Sequence, residues 1–248
     1  MLRFFRHIKQ KMLKEGQLSQ YLLYALGEIL LVVLGILLAL QINNWSEDKK
    51  NRQNEVYILA EIVNNLKEDA GQIATIIQAR QDTKVAVNRM LRHLSQPLVP
   101  ADTIAVDLGY FLKFERYYPI YVAYEMMKST GLKISNRQLR TAIGRYYDFE
   151  QNKVTSGIED IEKTFLSIMN SKNAIKSNLA YIERVEGLQL VDANDPLFKK
   201  ELLEELVAFR GNNNGTLEKL LVFRQLNQKL IALIVAELKE RNMEIDNQ

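Results

Sequence analysis

The 248-residue chain contains no cysteine and only two histidines, His7 and His93. The lack of cysteine excludes disulfide bonds and thiolate chemistry. The two histidines lie on opposite sides of a long apolar run, so we do not expect them to share a catalytic or metal site. No HExxH, GxSxG, Walker or GxGxxG pattern is present. The sequence therefore predicts a protein that is not an enzyme and holds no cofactor or metal.

Proline and glycine are also scarce, with four and 11 residues. These residues mark the turns between short strands, and no segment has the alternation of a convincing strand. Apolar residues recur instead at helical spacing. We expect an all-α fold in which one N-terminal transmembrane helix precedes an elongated antiparallel helical bundle.

The formal net charge of +3 is confined to the N-terminus. Residues 1–20 are basic, whereas acidic and basic residues balance after the apolar run. The chain therefore lacks the broad basic surface of a nucleic-acid-binding protein, and no nucleic acid partner is expected.

The apolar run extends from Tyr21 to Ile42 and carries a single charge, Glu28. A helix of this length covers about 33 Å, which is enough for a hydrocarbon core of about 30 Å. Tyr21 and Tyr24 at one end and Trp45 at the other have the positions of interfacial anchors. The alternatives are a buried core helix and a cleaved signal peptide. The run is longer than either usually requires, so we predict an uncleaved signal anchor.

Basic residues on the two sides of the span predict its orientation. Five precede it and three follow closely, which favours a cytoplasmic N-terminus. We therefore expect a cytoplasmic basic segment at 1–20, a transmembrane helix at 21–42 and a periplasmic helical domain at 43–248. The first segment suits either a short helix on an anionic leaflet or a tail that only sets the topology.

Glu28 shares a helix face with two small residues, Gly35 and Ala39. Small residues allow close helix approach, and a carboxyl group can hydrogen-bond across the contact. The favoured interpretation is a membrane helix-contact face. The alternatives are a carboxyl near enough to the headgroups to be tolerated, and an ion path of the kind found in stator or channel subunits.

A long amphipathic helix is predicted over 47–94, continuous with the span and ended by "SQPLVP". Its apolar residues follow a three–four spacing that is interrupted by polar residues at Asp69, Arg80 and Thr83. A second long helix is predicted over 135–182, with Ser135 as its cap. An antiparallel pair of these helices is the expected spine of the domain.

Two further helices are predicted after Asp195-Pro196, which has the pattern of a helix start. The first should end near Phe209, and "GNNNG" at 211–215 is read as a turn. Thr216 is then expected to cap a helix that reaches about Arg241.

The segment 110–131 contains a third of the aromatic residues. One interpretation is a ligand pocket or partner surface, because tyrosine combines apolar area with a polar tip. The favoured alternative is a short connector that packs across the ends of the two long helices. The candidate residues are Tyr110, Phe114, Tyr117, Tyr118, Tyr121 and Tyr124.

Two stretches of the chain resemble a known protein family. They are "FFRHIKQKMLKEGQLSQYLLYALGEILLVVLGILLALQINNW" and, at 126–147, "MMKSTGLKISNRQLRTAIGRYY". Both resemble a bacterial, Bacteroidetes-type family of single-span membrane proteins that is known only as a domain of unknown function. The resemblance implies an inner-membrane location and an exported domain. It implies no activity and no catalytic residues.

Three functions are compatible with these features. The favoured one is a structural or interaction protein, anchored in the lipid bilayer, that self-associates as a homo-oligomer or scaffolds other membrane proteins. The alternatives are a sensor-like bundle that binds a small ligand near 110–131, and a stator- or channel-type subunit that uses Glu28.

Overall fold

A computed structural model describes residues 18–182 and 187–246 of the chain. Helices make up 83% of these residues, so the predicted all-α class fits. The elements are α1 (Leu18–Leu94), α2 (Ala101–Phe111), α3 (Val122–Thr130), α4 (Arg137–Arg145), a π-helical turn (Tyr146–Glu150), α5 (Gln151–Asn170), α6 (Ala174–Asn178), β1 (Leu179–Ile182), β2 (Gly187–Leu190) and α7 (Pro196–Asp246). The chain divides into two compact units, Met1–Asn54 and Glu55–Gln248.

Helix α1 confirms that the apolar run continues into the next helix without a break. It ends at Leu94, just before "SQPLVP", as predicted. Proline disfavours helical backbone at the residue that precedes it, which explains the stop near Pro97. The predicted basic segment at 1–20 lies outside the described residues, except for 18–20.

In the first unit, every residue from Leu26 to Asn54 is exposed. This stretch consists of an apolar part that ends at Ile42 and a polar part that follows it. The boundary predicted at 42/43 stays a prediction, since the compact units divide between Asn54 and Glu55.

The second unit has a core built on the three–four spacing of α1. Both the apolar positions and the three polar interruptions of that pattern are buried. The eleven positions are Leu59, Ile62, Leu66, Asp69, Ile73, Ile76, Arg80, Thr83, Val87, Met90 and Leu94. The predicted helix face is therefore correct over its whole length, and the polar residues belong to it.

The segment 101–136 returns along α1 in the opposite direction. Near one end of the unit, Arg89 pairs with Asp107. Further along, the Asp69 carboxylate accepts a hydrogen bond from the Ile120 N–H at 3.1 Å. Partner numbers rise as the α1 numbers fall, so this segment is antiparallel to α1. The prediction of a short connector across the helix ends was therefore wrong.

Three buried amides place the remaining segments beside α1. Gln151 of α5 donates to Asp69 of α1 at 3.0 Å, and Asn227 of α7 donates to the Leu66 carbonyl at 3.0 Å. Asn213 of α7 donates to the carbonyl of Arg80, so α7 runs antiparallel to α1. The unit is an up-down-up-down bundle of four segments.

The second long helix runs parallel to α1, which corrects the predicted antiparallel pair. Ser135 pairs with Glu55 and Gln151 with Asp69, so the residue numbers increase together. The physical reason is the length of the return segment. Because 101–136 spans the bundle, the next helix begins again beside Glu55.

This second helix also differs from its prediction at both ends. Its cap is Asn136, whose side-chain oxygen accepts hydrogen bonds from two following N–H groups, and Ser135 is not the cap. The helix stops at Asn170 instead of 182. Beyond the stop, the Asn173 amide and the Lys176 ammonium group bond the Ile168 and Met169 carbonyls at 2.7 Å, which satisfies helix-end acceptors.

A two-stranded antiparallel hairpin follows, although no strand was predicted. β1 pairs with β2 from Leu179 opposite Leu190 to Ile182 opposite Gly187. Each strand has only four residues, which is too short for alternation to be recognised in sequence.

Helix α7 begins at Pro196 with Asp195 capping the Phe198 N–H at 2.7 Å, as predicted. The predicted turn at 211–215 is wrong, because the whole of Pro196–Asp246 is one helix. Thr216 is not a cap. Its hydroxyl donates to the Gly157 carbonyl at 3.2 Å inside the bundle.

Candidate functional site

The apolar part of the first unit has no cover from any described part of the chain. Its large apolar side chains from Leu22 to Ile42 are 47–74% exposed. Monomeric soluble proteins rarely expose so large a contiguous apolar surface. The helix is long and apolar enough to cross a membrane, and its place near the N-terminus also fits a signal anchor.

The three residues of the predicted helix-contact face lie together on this helix. Glu28, Gly35 and Ala39 are exposed and fall within about 40° of one another around the helix axis. A Cβ atom added at Gly35 would meet no atom within 4 Å. Packing within the chain therefore does not require glycine there, and the contact role of the face stays a prediction.

One of the three predicted interfacial anchors can be located. Trp45 is 67% exposed, and the Lys49 ammonium nitrogen lies 5.7 Å from the centre of its ring. The pair combines a cation with an amphipathic ring, as residues at a membrane surface often do. The side chains of Tyr21 and Tyr24 are outside the described part of the structure.

The six aromatic candidates of the return segment separate into different environments. Tyr117 and Tyr124 are buried in the core, and Phe114 is half-buried against Phe165. The other three are exposed to solvent and do not join them. They are Tyr110, Tyr118 and Tyr121.

The two buried tyrosines join an aromatic cluster that the sequence did not predict. Tyr124 stacks on Tyr147 with ring centres 4.6 Å apart, and Tyr146 stacks on Phe223 at 4.9 Å. Tyr117 packs edge-on against Phe223. Tyr146 and Tyr147 are adjacent in the π-helical turn, whose extra residue lets both side chains face inward.

Burial controls the ionisation of this cluster. Desolvation is the largest cause that raises the pKa of Tyr117, Tyr146 and Tyr147 above that of free tyrosine. The nearby Asp69 carboxylate acts in the same direction. The phenols therefore stay protonated at neutral pH. The Tyr117 and Tyr146 hydroxyls accept hydrogen bonds from the Gln151 and Asn227 amides, whereas the Tyr147 hydroxyl is buried without a partner among the described residues.

Asp69 is the buried acid at the centre of the unit. Desolvation raises its pKa to about 6, although hydrogen bonds from the Ile120 N–H, the Tyr117 hydroxyl and the Gln151 amide lower it. The nearby Glu68 carboxylate raises it further. A carboxyl that changes charge near pH 6 is an unusual feature of a bundle core.

Asp69 and its neighbours on α1 supply hydrogen bonds to non-helical backbone. The segment from Leu112 to Tyr121 is neither helix nor strand, so its main-chain groups lack regular partners. Gln72 bonds both the N–H and the carbonyl of Tyr118, at 3.3 and 3.0 Å. Thr83 donates to the Tyr110 carbonyl at 3.2 Å, in the last turn of α2, where a helix leaves carbonyls without a partner. The polar interruptions of the α1 pattern thus hold the return segment in place.

Arg80 and Glu115 form a second buried polar centre. The guanidinium Nη2 donates to Glu115 at 2.5 Å and to the Lys113 carbonyl at 2.9 Å. Arg80 is only 2% exposed. Its Nη1 atom and the Glu115 Oε1 atom are buried without a partner among the described residues. A buried ion pair with unmet hydrogen bonds is costly unless another group completes it.

A third polar cluster closes one end of the second unit. The Arg241 guanidinium bonds Glu55 at 2.9 Å, Ser135 at 2.7 Å and Glu237 at 2.6 Å. Glu55 also accepts a hydrogen bond from the Ser135 N–H at 2.6 Å. The cluster joins the first turn of α1 in this unit to the last turns of α7.

The described residues contain no group of three acidic, histidine or cysteine side chains that could hold a metal ion. The polar side chains of each centre instead form hydrogen bonds with one another and with the backbone. The expectation of a non-enzymatic protein without a cofactor stays a prediction.

Part of the chain is similar to a protein family of unknown function. A family of unknown function, DUF6090, matches residues 28–99. This range includes Glu28, Gly35, Ala39 and the buried part of α1, and it overlaps residues 28–45 of the first block of the resemblance, so the likeness to a family of unknown function is confirmed there. The bacterial origin and the membrane character implied by that resemblance stay predictions. The block at 126–147 lies beyond the match and stays a prediction. No similar protein was found among curated proteins or solved structures.

Proposed function

We propose that the protein is a single-span protein of a bacterial inner membrane, and that its exported helical bundle serves as an interaction or scaffolding unit without catalytic activity. The observation that supports this most directly is the exposed apolar helix from Leu22 to Ile42. Water is a poor solvent for this surface, whereas a bilayer of about 30 Å accepts it.

The direction of insertion rests on the basic residues that flank the span. The N-terminal 20 residues are cytoplasmic and the region from 43 onwards is periplasmic in this proposal. A membrane-impermeant maleimide tests it, because the chain has no native cysteine. In intact cells, Ser95→Cys should be labelled and Gln10→Cys should be protected until the cells are lysed.

Self-association uses the face of Glu28, Gly35 and Ala39 in this proposal. The two small residues allow a second helix to approach closely, and the carboxyl group bonds across the contact. The second copy of the chain is thus the first partner that we propose, with other membrane proteins as further partners.

Oxidative cross-linking in native membranes tests the helix contact. Gly35→Cys and Ala39→Cys should yield disulfide-linked dimers. Val33→Cys and Leu37→Cys serve as matched controls, since they lie in the same two turns on the opposite side of the helix. These two variants should remain monomeric.

The cross-linking result is decisive in either direction. Dimers at Gly35 and Ala39 alone support the proposed face. Equal cross-linking at all four positions indicates random collision, and its absence at all four excludes self-association through this helix.

A further inference from the structure

A groove of about 470 Å³ lies between α1 and the return segment in the second unit. Its volume is within the range of small-molecule sites, which is about 300–1,000 Å³. Short side chains on α1 create the space. The lining residues of α1 are Ala74, Thr75, Gln78, Ala79, Asp82 and Thr83, and those of the return segment are Tyr110, Lys113 and Glu115.

Tyr110 offers an aromatic surface at this groove. It is 43% exposed, whereas Phe111 beside it is fully in the core. The Tyr110 carbonyl is held by the Thr83 hydroxyl at 3.2 Å, so its backbone is fixed relative to α1. An exposed ring on a fixed backbone is suited to stacking against the apolar face of a ligand.

Glu115 contributes an acceptor that lacks a donor. Its Oε2 atom is occupied by Arg80, while its Oε1 atom is buried without a partner. Arg80 Nη1 is also buried without an acceptor among the described residues, but Arg80 does not line the groove. Glu115 Oε1 is therefore the acceptor that a ligand hydroxyl group could satisfy from the groove.

The groove has balanced charge, which favours a neutral ligand. Asp82 and Glu115 carry negative charge, and Lys113 with Arg80 behind the wall compensates for it. Asp82 is oriented by the Gln78 amide, which donates to it at 2.9 Å. Acceptors whose orientation is fixed in this way favour a ligand with several hydroxyl donors.

We propose that this groove binds a neutral, hydroxylated ligand such as a sugar residue, with Tyr110 stacked on its ring and a ligand hydroxyl donating to Glu115. The site is independent of the membrane helix. It holds whether or not the span mediates self-association.

The full chain in phosphatidylcholine nanodiscs, prepared without sugar-based detergents, provides the test. Glucose, galactose, N-acetylglucosamine and maltose are the probes, and glycine and alanine represent zwitterionic ligands. Isothermal titration and saturation-transfer NMR should detect at least one sugar with a Kd of about 0.1–10 mM. Tyr110→Ala should raise the Kd for that sugar about tenfold, since stacking is lost. Asp82→Asn should raise the Kd by a smaller factor.

Two exposed residues outside the groove provide matched controls. Val106→Ala lies one turn before Tyr110 on α2, and Gln81→Ala lies beside Asp82 on α1. Both should bind the sugar as the unmodified protein does. The proposal is overturned if no sugar binds at about 50 mM, if binding survives Tyr110→Ala, or if only the amino acids bind. Circular dichroism melts establish that each variant is folded.

Discussion

At the residue scale, this bundle is distinguished by polar side chains at core positions of α1. Asp69 and Arg80 sit where apolar residues continue the helical pattern, and both bond the backbone of the return segment. A regular four-helix bundle needs no such residues, because helices satisfy their own main chain. These polar residues are needed here because the segment Leu112–Tyr121 runs along α1 without helical hydrogen bonds of its own.

Asp69 leads to a prediction about pH. Its pKa is raised to about 6 in the folded protein, so the folded state binds more protons than the unfolded state between about pH 4 and 6. Stability should therefore fall as pH rises through this window and level off above it. The size of the fall is about 3 kcal/mol, as two pKa units imply.

The variant Asp69→Asn should remove this pH-dependent part of the free energy of unfolding. The amide keeps an acceptor for the Ile120 N–H and carries no charge, and Gln151 can rotate to accept from it. Urea unfolding at pH 4.5 and 7.5, followed by near-ultraviolet circular dichroism of the tyrosines, measures the difference. Asp102→Asn, at an exposed acid, is the control. If the pH dependence of stability is unchanged in Asp69→Asn, Asp69 is not its cause.

At the element scale, the main difference from the sequence prediction is that α7 is one continuous helix. Asn213 and Thr216 lie in "GNNNG" and just after it, yet both are buried at core positions of α7. The three–four spacing passes through them from Phe209 to Leu220 and Phe223. That spacing is the signal which identifies the helix, and it outweighs the local preference of Gly and Asn for turns.

A glycine series tests the helix directly. Gly211 and Gly215 have open space where a Cβ would be, and within the described residues only Gly131 has a positive φ, at 69°. Gly211→Ala and Gly215→Ala should each stabilise the unit by about 1 kcal/mol, because alanine is the better helix former. Gly131→Ala should destabilise it by about 1–2 kcal/mol. Thermal melts give the order, and destabilisation by the first two variants would contradict a continuous α7.

At the scale of the second unit, the polar cluster of Glu55 and Arg241 joins parts of the chain that are far apart in sequence. The two residues are 186 positions apart, and their side chains are 5% and 13% exposed. Such a contact forms only when the four segments have assembled. It therefore reports on completion of the bundle and not on any single helix.

A double-mutant cycle measures this closure. The four proteins are the unmodified chain, Glu55→Gln, Arg241→Gln and the double variant. Arg241→Gln leaves the Glu55 carboxylate buried without its cation and should cost about 2–4 kcal/mol. The double variant should recover part of this loss, because the buried Glu55 charge is removed as well, although Glu237 still lacks its cation. Urea unfolding of the four proteins gives the coupling energy. A coupling below about 0.5 kcal/mol would mean that the ion pair contributes little.

The sequence by itself determined the helical class, the long first helix, its buried face, and the helix starts at α4 and α7 to within a residue or two. These features depend on local spacing, on caps and on proline, which act over a few residues. The tertiary structure alone decided the parallel course of the second long helix, the hairpin and the inward position of Tyr146 and Tyr147. Each of these depends on which segments meet, because a buried amide or carboxylate is tolerated only where its partner arrives from elsewhere in the chain.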